Sequence, residues 1–287
     1  MRLTPIVLAL PALLGLAGFG QQTVFRARAD IVAIDVAVSD GKKPVLTLTK
    51  DDFELRDNGV VQSIADFDRE KLPLDVTLTI DLSGSMNQAK IATIERAIGQ
   101  VGSSLGDRDR CAIVSFTSLV SEQRPMLSPP LSPKLAVKAR GGTSIVDALL
   151  LSLVTEPRTD RRQLGLMMTD GEDTSSVFDL QTTIETAKYA NRQASFVIVR
   201  DGDTLMDGRM LTLFRMVSST TGGLVIELQK GDDLSDAFLA AIESFRTSYI
   251  LRYKPTTLAA KGWHDVDVRV KKGGYTVRAR RGYFGDR

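Results

Sequence analysis

Five oxygen-bearing side chains have the types and spacing of a metal site. They are Asp81, Ser83, Ser85, Thr143 and Asp170. Two are carboxylates and three are hydroxyls, and the set holds no nitrogen or sulfur ligand. Hard oxygen donors suit Mg²⁺, Mn²⁺ or Ca²⁺, and they disfavour zinc and copper. The set therefore predicts a divalent-cation site, provided that the fold brings the three segments together.

The local sequence around the candidate ligands favours bringing their side chains to one point. The alternation in Asp81-Leu-Ser-Gly-Ser85 places three side chains on one side of a loop, and Gly84 lets the backbone bend sharply. Two glycines before Thr143 allow that loop to approach the ion closely. Two carboxylates nearly neutralise a dication, so a coordination position remains for water or for an anionic group of a partner.

The elements that must position these loops form an α/β pattern over residues 74–246. Short apolar strands alternate with amphipathic helices, which predicts a mostly parallel sheet with helices on both faces. Asp81 ends the first strand, Asp170 follows the strand Leu164–Met168, and Thr143 precedes a helix that begins at Ile145. Ligands of parallel α/β sheets bind at the carboxyl ends of the strands. The three loops are therefore expected at one edge of the sheet.

The two ends of the chain have a β pattern. Asn58-Gly59 between short apolar runs predicts a tight hairpin, and the segment after Tyr249 alternates through Trp263–Val270. We expect residues 21–73 and 247–287 to pack together as one β-sandwich-like domain with the α/β domain inserted between them. Pairing would bury edges and apolar faces that are otherwise exposed. Two separate β appendages are the alternative.

Residues 1–20 predict a signal peptide. A positive start at Met1-Arg2 precedes the uncharged apolar run Ile6–Leu16, and small residues follow at Gly18 and Gly20. The run is too short for a typical membrane-spanning helix. We therefore expect export to the periplasm, the cell surface or the medium, with no stable transmembrane anchor after cleavage. An uncleaved N-terminal anchor is the alternative.

Composition excludes several function classes. The 287 residues carry 37 Lys and Arg against 35 Asp and Glu, a net charge of +2, which gives no support to nucleic-acid binding. One Cys and one His allow neither an internal disulfide nor a Cys/His zinc cluster. A Ser-His-Asp enzyme would need His264, which lies outside the α/β segment and is expected on a strand surface. Cys111 is expected to be a buried core residue.

The five candidate ligands carry a family resemblance. Asp81-x-Ser83-x-Ser85, Thr143 in GGTS and Asp170 in TDGED resemble the metal-ion-dependent adhesion site of von Willebrand factor A domains. The flanking segments resemble a group of exported bacterial proteins related to that family. The resemblance implies a Rossmann-like α/β domain that binds Mg²⁺ and, through it, an acidic residue of a partner protein.

Three function classes follow. The favoured one is an exported, metal-dependent protein-binding module of the adhesion type, without enzymatic activity. The alternatives are a structural envelope protein whose metal only stabilises loops, and a metal-dependent hydrolase. His264 lies outside the α/β segment, which weighs against the hydrolase. Glu172 and Asp173 are expected to be solvated loop residues, with support of the metal ligands or tuning of the local field as the alternative. Arg278–Arg281 is expected to be a solvated strand face.

Overall fold

The computed structural model describes residues 31–69, 72–132, 134–135, 141–156, 158, 160–200, 207–256 and 261–285. The signal peptide predicted over residues 1–20 lies outside these ranges, as does the start of the predicted N-terminal β segment. Within the described ranges, no helix has the length and apolar character needed to cross a membrane.

A six-stranded sheet forms the centre of the α/β part. Its strands are β6 (Leu74–Asp81), β7 (Arg110–Phe116), β8 (Val120–Leu127), β9 (Arg162–Thr169), β10 (Gln193–Val199) and β11 (Val225–Leu228). Their order is β11-β10-β9-β6-β7-β8, and all neighbours are parallel except β7 and β8. Every residue of β6 is buried, as expected for a strand covered on both faces. The sheet therefore has one carboxyl edge, where Asp81 and Thr169 end adjacent strands.

Within the described residues, five helices cover the two faces of this sheet. They are α1 (Gln88–Ser104), α2 (Ile145–Leu153), α3 (Leu180–Tyr189), α4 (Gly208–Thr221) and α5 (Leu234–Arg246). Apolar residues of α1 and α5 pack on one face in a cluster that includes Val76 and Leu78. Helices α2, α3 and α4 pack on the other face, around Met167 and Phe196. The result is the predicted Rossmann-like α/β fold.

The terminal segments form two further sheets. Their strands are β1 (Val32–Asp40), β2 (Lys43–Pro44), β3 (Phe53–Asp57), β4 (Val60–Gln62), β5 (Ile64–Asp68), β12 (Tyr249–Tyr253), β13 (Gly262–Val270), β14 (Thr276–Ala279) and β15 (Gly282–Gly285). One sheet has the order β14-β1-β12-β5, with β2 paired to β1, and the other has the order β15-β13-β3-β4. Each sheet contains strands from both ends of the chain. The expected fold class, an α/β domain inserted in a β-sandwich-like unit, is confirmed.

A shared apolar core joins the two terminal sheets. It includes Ile34 and Leu55 from the N-terminal segment and Leu251 and Val268 from the C-terminal segment. The Asn-Gly hairpin between β3 and β4 forms as predicted, with φ of 47° at Asn58 and 79° at Gly59. The precise limits assigned to the two segments, 21–73 and 247–287, stay predictions.

A buried polar cluster also crosses this junction. The Asp57 carboxylate accepts hydrogen bonds from the Tyr253 hydroxyl (2.9 Å) and the Tyr283 hydroxyl (2.8 Å), and His264 Nδ1 lies 3.0 Å from its other oxygen. Asp57 and His264 are each 2% exposed. The expectation of a surface position for His264 is therefore wrong. Burial, together with the neighbouring Tyr283 and Asp57, raises the pKa of Tyr253.

Two other sequence expectations have different outcomes. Cys111 is fully buried, as predicted, and burial raises the pKa of its thiol to about 12. The basic run is not uniformly solvated. Arg278 donates to Ser244 Oγ on α5, and Arg280 donates to the carbonyl of Gly282, and burial lowers the pKa of both guanidinium groups. Arg281, which lies between β14 and β15, is the exposed arginine of the run.

Candidate functional site

The carboxyl edge of the central sheet brings the two acidic candidates together. Asp81 is the last residue of β6, and Asp170 follows β9, its parallel neighbour. The Thr169 hydroxyl donates to Asp81 Oδ2 at 2.7 Å, and the Ser83 backbone N–H donates to Asp81 Oδ1 at 2.9 Å. Asp81 is completely buried. Its carboxylate is thus held in one orientation by the last residue of β9 and by the loop that follows β6.

A chain of hydrogen bonds links the two serines to the second carboxylate. Ser83 Oγ lies 3.1 Å from Ser85 Oγ, and Ser85 Oγ donates to Asp170 Oδ1 at 3.0 Å. The pattern Asp-x-Ser-x-Ser therefore points its side chains into one small volume, as the alternation predicted. The Ser83 backbone N–H also donates to Asp81. This network therefore connects four of the five candidate ligands, which are Asp81, Ser83, Ser85 and Asp170.

The electrostatics of the two carboxylates favour a bound cation. Burial raises the pKa of Asp81, and the nearby negative charge of Asp170 adds to that increase, although hydrogen bonds from Thr169 and Ser83 oppose it. The Lys90 ammonium, in the first turn of α1, lies 2.9 Å from Asp170 Oδ2 and donates to the Ser85 carbonyl. Sequence reasoning missed Lys90 because its partner Asp170 is 80 residues away.

Thr143, the fifth candidate, is on a loop fastened to the serine loop. The Gly84 N–H donates to the Gly141 carbonyl at 3.1 Å. Gly141 has a φ of 82°, a conformation that side chains disfavour. A Cβ on Gly142 would lie 2.1 Å from Ser175 Oγ and 2.8 Å from Thr174 Oγ1, so these hydroxyl groups would have to move. The two glycines therefore let this loop lie close against its neighbouring loops, and Thr143 itself is 8% exposed. Close approach of this loop to an ion stays a prediction.

Asp173 has a structural role that the sequence analysis missed. Its Oδ1 accepts hydrogen bonds from the N–H groups of Ile145 (2.8 Å) and Val146 (3.3 Å) at the start of α2. The Thr174 hydroxyl accepts from the Thr143 N–H at 2.9 Å. The expectation that Asp173 is a solvated loop residue is therefore wrong. The loop after Asp170 caps the helix that follows Thr143 and thereby fixes the position of both.

The donors at this edge fit a hard divalent cation. Carboxylate and hydroxyl oxygens converge, and the charge of Asp170 is close enough to oppose ionisation of Asp81. Across the described part of the chain, no group of three or more His, Cys, Asp or Glu could hold a metal. A cation here would consequently need the hydroxyls of Ser83, Ser85 and Thr143 as well as the two carboxylates, a set that suits Mg²⁺ better than Zn²⁺.

Comparisons with known proteins agree with this architecture. The model of the von Willebrand factor type A domain matches residues 75–238. The inter-alpha-trypsin inhibitor heavy chain H4 of Sus scrofa is 30% identical over 117 residues, which are 36% of this chain and 13% of the pig protein. The E3 ubiquitin-protein ligase WAV3 of Arabidopsis thaliana is 30% identical over 118 residues, which are 36% of this chain and 15% of the plant protein.

A solved structure, the von Willebrand factor type A protein from Catenulispora acidiphila, superposes with a TM-score of 0.50. It is 15% identical and covers 88% of this chain and 74% of that chain. The likeness concerns the fold alone. The chain matches only about one-seventh of the length of the two curated relatives.

Proposed function

Because the chain belongs to the von Willebrand factor type A domain family, we propose that it is an exported, metal-dependent protein-binding module. Domains of this family are mostly non-enzymatic interaction modules, and they bind a divalent metal at a metal-ion-dependent adhesion site. The proposed ligands are Asp81, Ser83, Ser85, Thr143 and Asp170, and the proposed ion is Mg²⁺. The partner offers an Asp or Glu side chain to this site.

The observation that carries the proposal is the hydrogen-bonded convergence at the carboxyl edge. Asp81 is held by Thr169 and the Ser83 backbone, and Ser83 is linked through Ser85 to Asp170. These contacts hold the oxygens in place before any partner arrives, so little ordering remains for binding. The bound cation would supply a coordination position for a partner carboxylate.

The charge balance of the site accommodates an acidic partner. Asp81 and Asp170 offset the two charges of a divalent cation, and the Lys90 ammonium lies 2.9 Å from Asp170 Oδ2. The side chain of Asp170 is 5% exposed, so its interaction with Lys90 is only weakly screened by solvent. A partner carboxylate could therefore enter a coordination position of the cation without strong repulsion.

The His264 environment supports a binding role over hydrolysis. This imidazole is the single one in the sequence, and it is buried in the terminal β unit beside Asp57. The site residues at the carboxyl edge belong to the α/β domain. The proposed site thus has carboxylates, hydroxyls and an ammonium group, but no imidazole to act as general base.

The proposed function is tested by affinity capture with the full chain as bait. Wild type in Mg²⁺ should retain a partner that is lost in chelator and lost with Asp81→Ala. The matched control is Asp160→Ala, which removes a carboxylate that is 62% exposed and lies outside the site. An identified partner should then lose binding when one of its own Asp or Glu residues is replaced. Retention that is indifferent to chelator and to Asp81→Ala would contradict the proposal.

A further inference from the structure

A cavity of about 730 Å³ lies at the opposite end of the central sheet from the proposed metal site. Three of its lining residues mark where parallel strands begin: Pro73 directly precedes β6, Asp109 directly precedes β7, and Arg162 is the first residue of β9. Leu46 and Arg69, from the terminal β unit, line the same cavity. The cavity therefore lies at the amino edge of the sheet, between the α/β domain and the β unit. Its volume is in the range of about 300–1,000 Å³ that is typical of small-molecule sites.

The cavity depends on segments outside the family domain. Six of the eleven described residues that line it lie outside residues 75–238, the part that matches the family model. These six are Leu46, Arg69, Leu72, Pro73, Arg246 and Thr247. A ligand bound here would consequently be recognised by this chain's own combination of an α/β domain and a terminal β unit.

Four arginines line the cavity, namely Arg69, Arg108, Arg162 and Arg246. Two of them are paired with carboxylates of the protein. Arg162 is 6% exposed and lies 2.7 Å from Asp35 Oδ1, and Arg246 lies 2.8 Å from Asp109 Oδ2. The charges of these two guanidinium groups are therefore largely offset within the fold.

The other two guanidinium groups have no such partner. Among the residues that the structure describes, neither Arg69 nor Arg108 has a side-chain hydrogen bond or ion pair, although the Arg69 guanidinium lies 5.9 Å from the centroid of the Tyr249 ring. The carboxylate of Asp107 also lines the cavity without a partner in the described part of the chain. Two unpaired positive charges thus face one unpaired negative charge, which leaves a balance that suits a singly charged anion.

The loop that carries Arg108 is held in place without a ligand. Asp109 accepts hydrogen bonds from the Gly106 N–H (2.8 Å) and from the Leu74 N–H (2.8 Å), and the Arg108 carbonyl accepts from the Arg161 guanidinium. These bonds fasten the loop to the start of β6. Because its backbone is already ordered, little conformational entropy remains to be lost when a ligand binds.

We infer that this cavity binds a small organic acid with one carboxylate and an apolar body. The carboxylate is recognised by Arg69 and Arg108, since a guanidinium group matches the two oxygens of a carboxylate. The apolar body packs against Leu46, Leu72 and Pro73, which line the cavity beside the arginines. This inference is independent of the proposed metal-dependent function, because none of the five proposed metal ligands lines the cavity.

The test is calorimetric titration of 4-phenylbutyrate into the full chain in the presence of chelator, so that no metal ion can hold the carboxylate. We expect one site with a Kd in the low millimolar range, as is usual for a ligand of this size. Two matched ligands each lack one feature: 4-phenylbutan-1-ol has no charge, and acetate has no apolar body. Each should bind at least about tenfold more weakly than 4-phenylbutyrate.

Substitutions then locate the bound carboxylate. Arg69→Gln and Arg108→Gln should each weaken binding of 4-phenylbutyrate about three- to fivefold, the effect of losing an exposed ion pair. Both side chains belong to exposed residues, so these variants should keep the fold. The matched control is Arg209→Gln, which removes an arginine whose side chain is 81% exposed at the start of α4. It should leave the affinity unchanged.

The outcomes are distinct from those that test the metal site. Absence of binding, equal affinity for 4-phenylbutan-1-ol, or unchanged affinity in both Arg69→Gln and Arg108→Gln would overturn this inference and leave the proposed function standing. Binding of 4-phenylbutyrate that occurs in Mg²⁺ but not in chelator would place the carboxylate at the carboxyl edge, and would also overturn the inference.

Discussion

Replacing Tyr253 by Phe tests whether the buried polar cluster holds the two ends of the chain together. The substitution removes one hydroxyl and leaves the ring, which belongs to the shared core. The hydroxyl donates to Asp57 Oδ2 at 2.9 Å, and both residues are almost fully buried. Because Asp57 is on β3 and Tyr253 is on β12, the bond joins the N-terminal segment to the C-terminal segment.

The expected loss of stability follows from the type of hydrogen bond that is removed. A hydrogen bond to a charged acceptor contributes about 1.5–3 kcal/mol to folding. In the variant, the Asp57 carboxylate still accepts the hydrogen bond from the Tyr283 hydroxyl at 2.8 Å. The decrease in the free energy of unfolding should therefore lie near the middle of that range, about 2 kcal/mol. For a protein of this size that corresponds to a decrease in Tm of about 4–8 °C.

Thermal and urea unfolding of the full chain provide the assay. The control is Tyr275→Phe, since Tyr275 is 36% exposed and its hydroxyl should contribute little. Asp57→Asn should be at least as destabilising as Tyr253→Phe, because an amide N–H₂ would face either the tyrosine hydroxyls or His264. A Tm within about 1 °C of wild type for both Tyr253→Phe and Asp57→Asn would refute the assigned role of the cluster.

Three further outcomes are expected. Thr143→Ala should weaken partner binding while lowering the free energy of unfolding by under about 1 kcal/mol, as shown by affinity capture and urea titration; unchanged binding would place recognition elsewhere. A fragment of residues 74–246 should fold alone by circular dichroism, whereas a chain lacking residues 249–287 should lose protease protection of the β3–β4 hairpin; a protected hairpin would contradict the shared β unit. Asp75 is buried, which opposes its ionisation, but hydrogen bonds from two arginines outweigh burial and lower its pKa. The contribution of the ionised Asp75 carboxylate to the free energy of unfolding is present above the unfolded-state pKa and is lost as the pH falls through the folded-state pKa. The difference in the free energy of unfolding between wild type and Asp75→Asn, measured by urea titration, should therefore narrow from about pH 5 to below about pH 3. A difference that stays constant over this range would refute the assignment.

The features predicted from the sequence depend on local signals. The continuous apolar run of β6, which ends at Asp81, marks a buried parallel strand, and the Asn58-Gly59 pair marks a tight turn because both residues adopt positive φ. Asp170 follows a second such strand. Since parallel strands end at the same edge, these local patterns were enough to place the acidic residues side by side.

The features that sequence reasoning missed depend on partners far along the chain. His264 is buried because Asp57, 207 residues earlier, accepts its hydrogen bond in a shared core. Asp173 caps a helix that starts 28 residues before it. No spacing rule along the sequence connects such pairs, so a solvated position was the reasonable expectation for each residue.

The edge strand of the central sheet was missed for a different reason. The antiparallel strand Val120–Leu127 contains a proline and four consecutive polar residues, and none of its residues is fully buried. An edge strand bonds on one side only, so it can accept Pro125 and needs no apolar alternation. Its sequence consequently has neither of the patterns that mark a strand.

Calorimetric titration of Mg²⁺ and Mn²⁺ into the full chain tests the central claim most directly. Wild type and the control Asp160→Ala should each bind one divalent ion. Asp81→Ala should bind none while keeping its circular dichroism spectrum, because one of two carboxylates is lost from a buried site. Equal binding by wild type and Asp81→Ala, or no binding by wild type, would contradict the assignment of a metal site to the carboxyl edge of the sheet.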